Sequence, residues 1–152
     1  MRRLSGILLA CTFLLLPAFT HGAAAQQAAP QKTTMEGDLA LWSVAIRPDK
    51  TADYEQVLGK IKEALSKSQA PEAKQQLAGW KVLKTTVKMP DGNIIYTHVI
   101  TPVPGADYSV LPILYATFTD PAEQKALYDL YRGSLAGNLG TTSGTFVADF
   151  SK

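Results

Sequence analysis

Hydrophobic positions change period several times after residue 39, and each change marks an element. In Ala40-Leu41-Trp42-Ser43-Val44-Ala45-Ile46 the alternation puts Trp42, Val44 and Ile46 on one side. A period of two predicts a strand, and Pro48 soon ends it. Apolar residues then recur at Tyr54, Val57, Leu58, Ile61, Ala64 and Leu65, which is one face of a helix with Thr51 as its cap. Lys60, Lys62, Glu63 and Lys67 occupy the other face, with Glu63 placed to pair with Lys67 one turn on. Pro71 opens a shorter helix through Leu77, and Gly79 stops it.

Trp80 to Met89 and Ile94 to Thr101 predict two strands of a hairpin. Between them, Met89-Pro90-Asp91-Gly92-Asn93 has the chemistry of a turn, with φ fixed at Pro90 and a positive φ open to Gly92 or Asn93. Residues 109–118, SVLPILYATF, suit a helix or a strand by apolarity. Pro112 would remove a ladder donor but is tolerated in a first helical turn, so a short helix is expected. Asp120 then caps a helix with Pro121 at its first position and Glu123 three after the cap. Its inner face is Leu127, Leu130, Tyr131, Ser134 and Leu135; Gly137 and Gly140 are expected to release the chain. Thr145 to Phe150 alternates again, with Phe146, Ala148 and Phe150 together, and reads as the last strand. The predicted class is α+β: a ferredoxin-like split β-α-β sandwich with a four-stranded antiparallel sheet and helices on one face. Extra short helices follow the first helix and precede the last.

The first 25 residues differ in kind. Arg2 and Arg3 precede an apolar run from Ile7 to Leu16, and Ala23-Ala24-Ala25 supplies small residues for cleavage. This is the layout of a secretory signal cut after Ala25, and the run is too short for a permanent membrane anchor. Arg2-Arg3 also admits twin-arginine export, but the strongly apolar core favours the general route. Leu8-Leu9-Ala10-Cys11 has the look of a lipoprotein box, yet it lies within that core. The expected location is therefore periplasmic or secreted. Residues 26–38 read as a flexible lead-in and 39–152 as one domain, long enough to bury a core unaided.

Export alters the chemistry that remains. Cys11 is the only cysteine, so the mature chain has no disulfide, thiol nucleophile or Cys-ligated metal. Of 15 basic residues, Arg2 and Arg3 leave with the signal, and the remaining 13 match the 13 acidic ones. With near-zero charge and no basic stripe, nucleic acid is not an expected partner.

Within the domain, the stretch Leu41 to Leu65 resembles the opening strand and helix of dimeric α/β-barrel proteins, the superfamily of antibiotic-biosynthesis-type monooxygenases. Leu77-Ala78-Gly79-Trp80-Lys81-Val82-Leu83 is similar to the start of their second strand, and Thr119 to Arg132 to their second helix. The resemblance implies a homodimer in which two sheets pack open faces together. The strand at 94–100 gives independent support, since Ile94, Tyr96, His98 and Ile100 on one side are matched by Ile95, Thr97 and Val99 on the other. A sheet with one wet face should be polar outward. Haem-degrading members use an Asn, a Trp and a His together. His98 sits on a strand, no such set is placed here, and no functional residue is carried over.

Chemistry has few candidates. His98, between Tyr96 and aliphatic neighbours, could serve as a general base or a ligand-orienting donor; the alternative is a packed histidine bonded to a carbonyl or tyrosine. Scattered carboxylates lack metal-site spacing, and no metal or other cofactor is expected. G-x-S-x-G is absent, because Gly133-Ser134 is followed by Leu135-Ala136. The glycines from Gly133 to Gly144 follow a helix and lack a phosphate-loop ending. Tyr96, His98, Tyr115 and Tyr128 are the expected lining of a pocket for a small apolar or aromatic ligand, with Trp42 and Trp80 adding aromatic area. Tyr131 has core spacing, and Arg47 and Arg132 are the remaining arginines that could hold an anion. The leading expectation is an exported small-molecule-binding homodimer. A cofactor-free monooxygenase- or isomerase-like enzyme using His98 with a tyrosine is the second reading, and a structural or interaction module of the cell envelope the third.

Overall fold

The computed structural model describes residues 32–150. The leader, its cleavage site and Cys11 lie outside the described residues. Among those described, strands β1 (Leu39–Ile46), β2 (Trp80–Lys84), β3 (Ile94–Ile100) and β4 (Leu135–Gly144) form one antiparallel sheet in the order β2-β3-β1-β4. Helices α1 (Thr51–Lys67), α2 (Ala73–Gly79), α3 (Val110–Thr117) and α4 (Pro121–Ser134) complete an α+β architecture. It is compatible with a ferredoxin-like fold. No helix among the described residues is long and apolar enough to cross a membrane.

Register decides which side chains share a face. Ala40, Trp42, Val44 and Ile46 stand opposite Ile100, His98, Tyr96 and Ile94. These form the helix-side face. Tyr54, Val57, Ile61, Ala64 and Leu65 of α1 are all buried, as the helical period requires; Val57, Ile61, Ala64 and Leu65 pack with Val110, Leu114, Phe118 and Leu127, and Tyr54 packs with Val44, Ile46 and Tyr96. Leu39, Leu41, Ser43 and Ala45 point the other way, with Ile95, Thr97 and Val99 beside them. Among the described residues no helix covers that side, and Leu41 remains 40 % exposed.

The caps and turns follow their local chemistry. Asp120 accepts the N–H groups of Ala122 and Glu123 at 2.8 and 2.9 Å, with Pro121 at the first helical position. Gly92 takes a φ of +84° in the hairpin turn, where its N–H reaches the Met89 carbonyl. Residues 110–117 are helical, which settles the segment containing Pro112. Thr51 is not a cap: it is the first residue of α1, entered from a 3-10 turn at Pro48–Lys50, and Lys50 pairs with Asp53 across that start.

Two strand expectations are corrected. The second strand ends at Lys84 rather than Met89, although Thr85 N–H still reaches the Ile95 carbonyl. The last strand begins ten residues early, so that Gly137 and Gly140 lie inside β4 and Thr145–Phe150 lies beyond it. Pairing to β1 overrides the weak strand propensity of LAGNLGTTSG. The glycines serve the register shifts at Ser43/Val44 and Ala45/Ile46, where Gly140 takes a φ of +98°.

The described part of the lead-in is anchored. Met35 packs with Ala40, Ile100, Ala106 and Tyr108. Tyr108 N–H donates to the Thr33 carbonyl at 2.9 Å, and Thr33 N–H to Asp107 Oδ1 at 3.0 Å.

Candidate functional site

His98 occupies the middle of β3, on its helix-side face, and is fully buried. Its ring stacks on Trp42, the residue opposite in β1, with centroids 4.4 Å apart and planes 24° from parallel. Both ring nitrogens are engaged: Trp80 Nε1 lies 2.9 Å from Nδ1, and the Tyr54 hydroxyl lies 2.7 Å from Nε2. An indole nitrogen can only donate, so Nδ1 accepts and the proton of the neutral ring resides on Nε2. Nε2–H therefore donates to Tyr54.

That arrangement disfavours the imidazolium. Protonation at Nδ1 would set two N–H groups against each other in a site stripped of water. Burial holds the His98 pKa down at about 4. Tyr54 is also pushed above its ordinary value by burial. At neutral pH the pair is uncharged, and its one basic lone pair is occupied. A ring so placed orders its neighbours; it is not poised to take a substrate proton.

Tyr96, two residues along β3, belongs to a separate cluster. Its hydroxyl donates to Glu55 Oε1 at 2.6 Å, and Lys84 Nζ contacts the same oxygen at 2.8 Å. Hydrogen bonds from Lys84 and Tyr96 hold the Glu55 carboxyl below its usual range. Tyr54 meets Tyr96 edge to face at 5.0 Å. The tyrosine within reach of His98 is thus Tyr54, not its strand neighbour.

The other expected lining residues disperse. Tyr115 lies on α3, half-buried against the helical core, whereas Tyr128 on α4 is 43 % exposed beneath the Arg132 guanidinium. Tyr131 packs into the core, as its spacing implies. Arg47 donates to the Gly133 carbonyl at 3.1 Å. Among the described residues no group of three or more His, Cys, Asp or Glu stands together as metal ligands, and no buried side-chain polar atom lacks a partner.

A cavity of about 420 Å³ lies elsewhere, between α1, α2 and β2. Leu58, Ile61 and Leu65 from α1, Leu77 from α2, and Trp80 and Val82 from β2 form its apolar walls. Lys62 and Lys81 stand on its border. Most α1 lysines are paired, Lys60 with Glu63 and Glu123 and Lys67 with Glu63, but Lys62 has no ion pair among the described residues. Sequence reasoning named Trp80 as an aromatic contributor but missed the other walls. Their signal was present as the flank of the α1 stripe, yet it looked the same as core.

Compared with known proteins, the chain matches no family model, no curated sequence and no solved structure.

Proposed function

We propose that this is an exported small-molecule-binding protein of the dimeric α/β-barrel type, whose ligand site is the cavity between α1, α2 and β2. The observation that carries the reading is that cavity. Its volume of about 420 Å³ lies within the usual range of ligand pockets, its walls are aliphatic with one indole, and Lys62, which has no ion pair among the described residues, stands at its border. Such a site suits a small apolar or aromatic molecule with an anionic end. His98 takes the role of a frame: it fixes Trp80 through the indole N–H, and Trp80 is a wall of the site.

Two features support the finer architecture. β1 and β3 are central and β2 and β4 flank them, which is the strand order expected of a split β-α-β sandwich. The uncovered face carries Leu41, Ile95, Val99 and Leu83, and Leu83 is 59 % exposed. A second copy packed face to face is the occupant that this surface fits, since apolar area of this kind is stabilised by removal from water.

The test uses the mature chain from Gln26. N-phenyl-1-naphthylamine, an apolar aromatic probe, should bind saturably at one site per chain. Leu58→Trp, which fills the cavity, should weaken it by about tenfold or more. Lys62→Glu should weaken the anionic probe 8-anilinonaphthalene-1-sulfonate and spare the neutral one. Non-saturable binding, or binding indifferent to Leu58→Trp, would sink the assignment.

A further inference from the structure

A row of rings crosses the helix-side face of the sheet: Trp80 on β2, His98 on β3 and Trp42 on β1. The α1-α2-β2 cavity lies at the Trp80 end of that row. A second cavity, of about 300 Å³, lies at the Trp42 end, between β1, β4, the start of α3 and the last turn of α4. No Asp, Glu or Lys among the described residues lines it. What it offers is hydrogen-bond donors and one arginine.

β4 is shaped to supply two of the donors. Asn138 and Thr141 differ in parity, so in a regular strand they would face opposite sides of the sheet. The register shift changes that. Trp42 pairs with Thr141 and Val44 with Asn138, and Trp42 and Val44 share the helix-side face. Leu139 is the extra residue, and Gly140, with its φ of +98°, accommodates the bulge. Asn138 Oδ1 already accepts the Trp42 indole N–H and the Gly140 N–H, each at 3.1 Å. Its amide nitrogen can only donate, and it has no partner among the described residues.

The end of α4 supplies Tyr131 and Arg132. Burial raises the Tyr131 phenol above its ordinary range, so it keeps its proton, and its oxygen has no hydrogen bond among the described residues. Arg132 has no ion pair there either. Its one contact is the Tyr128 ring at 6.0 Å, the outer limit of such attraction. Arg47, by contrast, is tied to the Gly133 carbonyl. α3 turns its positive end to the same space: Ser109 gives it no side-chain cap, because Ser109 Oγ is engaged with Thr33. Asp107, the nearest acid in sequence, accepts the Thr33 and Ser109 N–H groups and does not line the cavity.

We propose that this cleft is a second binding site, separate from the α1-α2-β2 cavity, for a small aromatic carboxylate. Arg132 pairs with the carboxylate, Tyr131, Asn138 and Thr141 donate around it, and Trp42, Leu111 and Pro112 contact the ring. A carboxylate only accepts hydrogen bonds, so a lining of donors with one fixed positive charge selects it over a neutral amide or a cation.

The chain has two tryptophans, and one stands at each cavity, so proton–nitrogen correlation spectra of the mature chain hold a reporter for each. Benzoate should shift the Trp42 indole resonance saturably and leave that of Trp80 in place; N-phenyl-1-naphthylamine should do the reverse. Benzamide, of the same shape without the charge, should bind about tenfold more weakly than benzoate. Arg132→Gln, at an exposed position, should weaken benzoate by about tenfold, Arg132→Lys should recover part of the loss, and Lys62→Glu should leave benzoate unchanged. A Trp42 resonance indifferent to benzoate overturns the site. Equal binding of benzamide, or full benzoate affinity in Arg132→Gln, overturns the carboxylate assignment. Benzoate acting on Trp80 in place of Trp42 puts the anion in the first cavity and overturns the second. Benzoate acting on Trp42 in a chain that fails to bind N-phenyl-1-naphthylamine supports this site while striking the α1-α2-β2 assignment.

Discussion

The two sides of β3 solve opposite problems. Toward the helices lie Tyr96, His98 and Ile100, and every polar atom among them has a partner: Glu55 for Tyr96, Trp80 and Tyr54 for His98. Away from the helices lie Ile95, Thr97 and Val99, whose one side-chain hydrogen bond is Thr97 to Ser43 at 2.9 Å. The sheet thus keeps its most polar ring inside and leaves aliphatic side chains outside. Burial here is decided by which groups can be satisfied and not by hydropathy alone. The inner side is closed, whereas the outer side and the β2 edge look unfinished.

The inner side should be the costlier to disturb. His98→Ala removes a stacked ring and strands the Trp80 N–H and the Tyr54 hydroxyl, and should cost about 3–5 kcal/mol in denaturant unfolding. His98→Gln offers an acceptor and a donor at similar positions and should recover a good part of that loss. If Gln were as damaging as Ala, the ring would matter for shape and stacking instead of for its two hydrogen bonds.

pH acts on the same ring with a definite sign. His98 titrates at about 4 in the folded chain against an ordinary 6.5, so between those values the unfolded state holds more protons. Stability is then fully present above pH 6.5 and falls as pH drops toward 4, by roughly 3 kcal/mol in all. Below 4 the His98 contribution is spent. The slope between pH 6.5 and 5, where carboxylates contribute little, should vanish in His98→Gln. A wild-type chain with flat stability across that window would contradict the buried, neutral ring.

Trp80→Phe should cost less, about 1–3 kcal/mol, because it deletes one donor and keeps most of the aromatic area. It also removes the N–H that opposes protonation at Nδ1. The His98 titration, followed by NMR of the ring protons, should therefore move up from about 4 toward 6.5. A purely packing role for Trp80 would leave that titration in place. On the outer face, by contrast, Leu83→Glu should change unfolding of the isolated chain by no more than about 0.5 kcal/mol. Its effect should appear in self-association, which is where the two faces part company.

How much of this could be read from residues alone depended on the range of the interaction. Asp120-Pro121 and Gly92 were legible because capping and turn geometry are set within a few residues. The α1 face was legible because its period is regular. β4 was misplaced because LAGNLGTTSG has no propensity signal and becomes a strand only through its partner β1, whereas TFVADF alternates well yet lies beyond the end of the sheet. At the candidate site, the sequence singled out His98 but not Tyr54. Tyr54 appeared as one more apolar step on a helix, and only the packing of α1 on β3 brings its hydroxyl to the ring.

The smallest effect should come from Tyr128, and it is informative for that reason. Its position just beside the α4 stripe marked it in the sequence as a pocket edge. The fold instead leaves it 43 % exposed, with the Arg132 guanidinium 6.0 Å from its ring centroid and no part in the α1-α2-β2 cavity. A cation over an exposed ring contributes about 0.5–1 kcal/mol at most, and the neighbouring helix side chains compensate part of its loss. Tyr128→Ala should therefore change stability by about 0.5 kcal/mol and leave N-phenyl-1-naphthylamine affinity where it was. If probe binding fell with Tyr128→Ala but held with Leu58→Trp, the ligand would sit against α4, and the division between a closed inner core and an unfinished β2 edge would have to be redrawn around the other end of the helical layer.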